Sequence, residues 1–192
     1  ARTRALYNAG CRDLGESRPQ ALWEKAAAFA TDDVSVQWHM IGHLQRNKVA
    51  KTMPCNPILH TVDSVRLAEA ISRSAMELSM VCEGLIEVNL SQDGGRSGVL
   101  PDRLLDSASQ ILELPGVRIR GLMGMASHPE AGRKPRQEFA WLRELRDGLN
   151  DRFPDAGGLP ELSMGMSGDF QDAICEGSTI VRIGSALFHG LR

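Results

Sequence analysis

The sequence predicts an α/β protein folded as a parallel (β/α)8 barrel. Three observations carry this. Short apolar runs alternate with longer amphipathic ones along all 192 residues. Repeated β–α alternation implies a parallel sheet with helices outside. No linker, low-complexity tract or boundary interrupts it, so residues 1–192 read as one domain. The polar and glycine-rich residues follow the apolar runs, at the strand ends where a parallel barrel keeps its site. A doubly wound open sheet would share the alternation. Seven strand–helix units behind a leading helix fit a barrel whose first strand is absent from the sequence.

The elements follow in order. Residues 2–9 end a helix stopped by Gly10. Residues 11–14 form a short strand before Gly15, and the helix over 19–30 has Pro19 in its first turn and Ser17 or Arg18 near its cap. The strand over 36–41 ends at Gly42 and leads into a helix over 43–52. The strand over 58–62 precedes a helix over 65–76 capped by Asp63 or Ser64. The strand over 82–90 precedes a helix over 102–114 opened by Pro101. The strand over 117–125 precedes the longest helix, 135–153, with Phe139, Leu142, Leu145 and Leu149 at helical spacing. Strands over 161–164 and 180–183 flank a helix over 167–176.

Composition excludes several function classes. The net charge is −2, without the basic surplus of a nucleic-acid protein. No apolar run approaches the roughly 18 residues that span a bilayer. Cys11, Cys55, Cys82 and Cys175 lack C-x-x-C spacing, so neither zinc nor a disulfide framework is expected. These features point to a cytoplasmic protein with no metal.

Two segments carry the strongest chemistry. In Leu162-Ser-Met-Gly-Met-Ser-Gly-Asp169, glycines permit close backbone approach and the helix start offers amides to an anion. A simple helix cap, with Ser167 at the N-cap and Asp169 in the first turn, competes. In Val181-Arg-Ile-Gly-Ser-Ala-Leu-Phe188, Gly184 and Ser185 follow the last strand. Barrels often bind phosphate after strands seven and eight, which are these two segments if one strand is missing. Arg182 shares a face with Gly184, and an interior arginine needs a partner, for which Glu87 is a candidate. His39 and His43 read as packing and hydrogen-bonding residues, and Met123 and Met125 as core. His60 reads either as lining the mouth or as a satisfied buried histidine. Glu87 and Asn89 point to one side of their strand. Arg96 and Ser97 read as exposed, and Gln92 is a further polar residue after that strand.

Taken together, Trp38-His-Met-Ile-Gly-His-Leu-Gln-Arg-Asn-Lys48, Ile58-Leu-His-Thr-Val-Asp-Ser64, Gly121-Leu-Met-Gly-Met125 and the two segments above resemble the pyridoxal phosphate homeostasis proteins. These are single-domain relatives of the alanine racemase barrel, and the resemblance runs from Leu6 to Gly190. It implies a fold-type III barrel holding pyridoxal 5′-phosphate. Ser163, Gly165, Met166, Ser167, Gly184 and Ser185 would surround the phosphate, and Arg182 would face the pyridine nitrogen. His60 and Asn89 would lie near the ring or the cup wall. The implied role is a carrier and regulator of vitamin B6 supply without established catalysis. Its partners would be the cofactor and the apo-enzymes that receive it, not nucleic acid or membrane.

The sequence departs from the family at Ser17, where asparagine is usual. The family's Schiff-base lysine ends its first strand, whereas Lys25, Lys48, Lys51 and Lys134 lie in or beside predicted helices. The resemblance therefore places that lysine upstream of Ala1, on about 30–40 further residues. An amino-acid racemase of the same fold is the alternative. It needs a second base, often tyrosine, and Tyr7 is the only one. A sugar-phosphate barrel enzyme would instead need an acid–base pair drawn from Glu16, His60 and Asp63.

Overall fold

The computed structural model describes residues 2–31, 34–91, 95–128, 132–188 and 190. Gln92 lies outside them. Helix α1 (Arg2–Asn8) leads into β1 (Asp13–Glu16), α2 (Pro19–Ala30) and β2 (Gln37–Met40). A short α3 (Val49–Thr52) precedes β3 (Ile58–Val62), α4 (Val65–Glu77) and β4 (Cys82–Val88). Then come α5 (Leu104–Leu112), β5 (Val117–Gly124), α6 (Pro135–Arg152), β6 (Glu161–Met166), α7 (Phe170–Cys175) and β7 (Ile180–Arg182).

All seven strands are parallel and pair in chain order. One cavity is lined from β1, β2 and β3 on one side and from β6 and β7 on the other. The sheet therefore curls round on itself into a nearly closed barrel, with a seam between β1 and β7. No helix among the described residues is long and apolar enough to cross a membrane.

Both faces of the sheet are covered, as in other parallel sheets. Outside, Leu59, Ile86, Leu122 and Leu162 pack in one cluster with Leu67, Ile71, Ile111, Phe139 and Leu142 from the helices. Tyr7 stacks edge-on against Phe29, which stacks on Trp38, and this docks α1 and α2 on β2. Inside, alternation brings Ile58, His60, Leu85, Glu87, Met123 and Ser163 to the barrel axis, all buried. Half of these are polar, and the functional chemistry starts there. Arg120 ties the strand starts together by pairing with Glu83 at 2.7 Å and with Glu161.

Local signals explain most element ends. Ser64 caps α4 by accepting from the Leu67 amide. Asn56 adopts a left-handed conformation before β3. Two expected helices are shorter than the pattern suggests. Residues 43–45 are irregular before the 3-10 turn Arg46–Lys48, because Leu44 is buried in the hydrophobic core and Gln45 is extended. Strand β6 runs on to Met166 and α7 starts at Phe170, not Ser167. Asp169, rather than Ser167, takes the N-cap position, and its carboxylate accepts from the Met166 amide at 2.6 Å. This tight turn depends on Gly165 at φ +92°, where a Cβ would stand 2.6 Å from that of Ala173. The first strand runs over Asp13–Glu16 rather than over 11–14, which brings Gly15 and Glu16 into the sheet.

Candidate functional site

The site is a cavity of about 750 Å³ at the strand ends around the seam. One end gathers backbone donors. The amides of Gly184 and Ala186, at the start of the turn Ser185–Phe188, both donate to Ser167 Oγ, at 3.3 and 3.2 Å. Two backbone donors thus converge on a single oxygen at the cavity wall, the geometry that backbone anion cups use. Asp169, the group that would repel an anion there, has its Oδ1 on the Met166 amide.

The other end is a cation held by uncharged acceptors. Arg182 donates to Ser163 Oγ at 2.7 Å and to the Gly124 carbonyl at 3.1 Å. Its expected ion pair with Glu87 does not form. Burial lowers the guanidinium to about 10, with Asp169 and Glu87 opposing, so it stays charged at neutral pH. His60, almost fully buried, faces it across the barrel. Burial lowers its ring to about 3, and nearby His39 and Arg182 push it the same way. Glu87 lies deeper. Burial raises its carboxyl, and only Oε1 is engaged, by Ser97 Oγ at 2.8 Å, while Oε2 has no partner among the described residues.

Comparison with known proteins gives this geometry a context. The alanine racemase N-terminal domain family matches residues 2–191. A pyridoxal phosphate homeostasis protein of Aquifex aeolicus (strain VF5) is 42% identical over 185 residues, 96% of this chain and 79% of that relative. The chain belongs to the pyridoxal phosphate homeostasis protein family. A second member, from Pasteurella multocida (strain Pm70), is 35% identical over 182 residues, covering 95% of this chain and 78% of its own length. Among solved structures, PipY of Synechococcus elongatus PCC7942 with PLP bound superposes with a TM-score of 0.88 at 37% identity. That match covers 97% of this chain and 86% of PipY. An alanine racemase of Clostridium difficile 630 superposes with a TM-score of 0.74 at 13% identity, over 96% of this chain and 47% of the racemase. At that identity the likeness concerns the fold alone.

In this pyridoxal phosphate homeostasis family member, the cavity brings together His60, Met166, Ser167, Arg182, Gly184 and Ser185. Ser163, Gly165 and Asn89 do not line it. Ser163 is fully buried behind it, its hydroxyl used by His60 and Arg182. Gly165 is buried against α7. Asn89 is buried and supports the neighbouring loop, donating to the Arg96 carbonyl and accepting from Ser91. Arg96 and Ser97 are exposed, yet Arg96 donates to the Ala126 carbonyl and Ser97 to Glu87. Met123 is core, whereas Met125 lines the cavity.

The acid–base set of a sugar-phosphate enzyme is not assembled. Glu16 pairs with Lys25, Asp63 pairs with His43 at 3.1 Å, and His60 is inside the barrel. None of the residues lining the cavity is a lysine. Asp13 and His39 line it and were not read as site residues. Their signal is the i, i+2 spacing of His39 and Ile41, within the expected strand over 36–41, and of Asp13 and Gly15, the latter just past the expected strand over 11–14, which carries both pairs to the cavity side.

Proposed function

We propose that this chain binds pyridoxal 5′-phosphate in the seam cavity and acts in cofactor homeostasis as a carrier, not as a catalyst. The convergence of the Gly184 and Ala186 amides on one oxygen, in the same cavity as Arg182, carries the proposal. A phosphate oxygen would take the place that Ser167 Oγ occupies, with Ser185 and Ser167 as hydroxyl ligands and Met166 beside them. His60 and Arg182 would border the pyridine ring. Ser163 would act through Arg182, Gly165 through the shape of the turn, and Asn89 through the loop after β4. The cavity volume and donor set fit such a group: two amides and two hydroxyls for a phosphate, and one cation for a neutral ring nitrogen. Facing that nitrogen, an arginine leaves it unprotonated and weakens the ring as an electron sink.

Two further observations favour a carrier over a racemase. Tyr7, the chain's single tyrosine, is engaged with Phe29 and with Arg12 on the outer layer, away from the cavity. The titratable side chains that line the cavity, Asp13, His39, His60 and Arg182, are also tied, through Ser163, into one hydrogen-bond chain rather than set apart as an acid–base pair. The carrier would pass its cargo to apo-enzymes that need it.

Equilibrium dialysis against pyridoxal 5′-phosphate, pyridoxine 5′-phosphate and pyridoxal tests this. Both phosphorylated forms should bind, and pyridoxal should bind at least about tenfold more weakly, the loss of one or two charge-assisted hydrogen bonds. Equal binding of pyridoxal and its phosphate would reject the cup.

A further inference from the structure

Four hydrogen bonds join five side chains across the barrel. Arg182 Nη1 lies 2.7 Å from Ser163 Oγ, and Ser163 Oγ lies 2.8 Å from His60 Nδ1. His60 Nε2 lies 2.8 Å from His39 Nδ1, and His39 Nε2 lies 3.1 Å from Asp13 Oδ1. The chain runs through β7, β6, β3, β2 and β1, and the His60–Ser163 bond crosses the barrel interior.

Its two ends, together with a neutral His39, fix its direction. A guanidinium can only donate, and a carboxylate can only accept. His39 therefore carries its proton on Nε2, facing Asp13. A neutral His39 then has a bare Nδ1 that accepts from His60 Nε2–H. That leaves His60 Nδ1 bare to accept the Ser163 hydroxyl, whose oxygen accepts from Arg182. Every donor meets one acceptor, with both rings neutral and both in the Nε2–H form. The depressed His60 ring agrees with its neutral state.

We propose that Asp13, His39, His60 and Ser163 are positioning residues for Arg182, a one-way hydrogen-bond relay that fixes which guanidinium N–H groups face the cavity. With Nη1 committed to Ser163 and Nη2 to Gly124, the uncommitted N–H groups are left for a ligand acceptor. The consequence for ligand binding rests on the pyridoxal phosphate assignment above; the relay itself does not. Asp13 is its exposed end, with a side chain 74% accessible. Replacing Asp13 therefore perturbs the relay without opening the core.

The test is ¹⁵N NMR of the histidine side chains in the ligand-free protein, assigned with His39→Gln and His60→Gln. Both rings should be Nε2–H tautomers. In Asp13→Ala, which does not touch His60, the His60 nitrogens should move toward a mixture of tautomers, and Asp13→Glu should restore them. Affinity for pyridoxine 5′-phosphate should fall about threefold to tenfold in Asp13→Ala, the worth of one hydrogen bond, while affinity for inorganic phosphate stays unchanged. An Nδ1–H His60 in the parent protein, or His60 shifts indifferent to Asp13→Ala, would overturn the relay. A tautomer response without pyridoxine phosphate binding would uphold the relay and refute the proposed ligand instead.

Discussion

His60 sits where charging it is costly. Its ring titrates near 3 in the fold against 6.5 as its ordinary value. Between those values the unfolded chain binds the extra proton, so stability rises with pH across that window. The His60 contribution is complete above about pH 6.5 and is lost as pH falls toward 3, by about 2 kcal/mol at pH 5. Urea unfolding at pH 7.5 and pH 5 should show this loss, and His60→Gln should show a shallower acid slope. Glu87 works in the opposite direction. Burial raises its carboxyl above 4.5, so the folded state holds its proton longer and stability declines as pH rises beyond that value. Glu87→Gln should flatten the decline in the same unfolding series. At the end opposite the cup, Arg182→Lys cannot serve Ser163 and Gly124 together, because one ammonium lacks the planar fork. It should cost about 1–3 kcal/mol in denaturant unfolding.

The turn between β6 and α7 decides where the cup stands. A Cβ at Gly165 would sit 2.6 Å from Ala173 Cβ and 3.0 Å from Phe170 Cα, at a positive φ. Gly165→Ala should therefore displace α7, cost about 2–4 kcal/mol in thermal unfolding, and weaken phosphate binding with it. Much at this scale was legible in the sequence. The periods of α2 and β3 gave their limits to the residue, because Pro19 and the apolar block Ile58–Val62 are strong local signals. The start of α7 was not legible. Ser167 has cap chemistry, but its hydroxyl is drawn to the Gly184 and Ala186 amides, a partner 17 and 19 residues away. The segment after β2 was misread for a similar reason, since burial of Leu44 overrides helical propensity there. Site residues that face the cavity by strand alternation, such as Arg182, were readable. Asp13 was not, although it falls in the expected strand over 11–14, because its partner His39 lies 26 residues away; Ser163 falls on its expected strand and Asn89 just past the end of β4, and the sequence does not show the partners of either.

Across the whole molecule, stability is uneven around the barrel. Strands β4 and β5 pair from Cys82 with Val117 to Val88 with Gly124, whereas β7 has three residues and borders the seam. Amides of β4 and β5 should exchange with solvent about two orders of magnitude more slowly than those of β7 and β1. Pyridoxal 5′-phosphate should protect β7 and the 184–186 amides selectively, because its proposed contacts bridge both sides of the seam. In the proposed complex, the cup at the end of β6 and β7 holds the phosphate of that cofactor. A crystal structure of the chain with pyridoxal 5′-phosphate tests it most directly. A phosphate oxygen should lie about 2.7–3.2 Å from the Gly184 and Ala186 amides, displacing Ser167 Oγ from one or both. A phosphate bound elsewhere, with Ser167 still holding both amides, would contradict it.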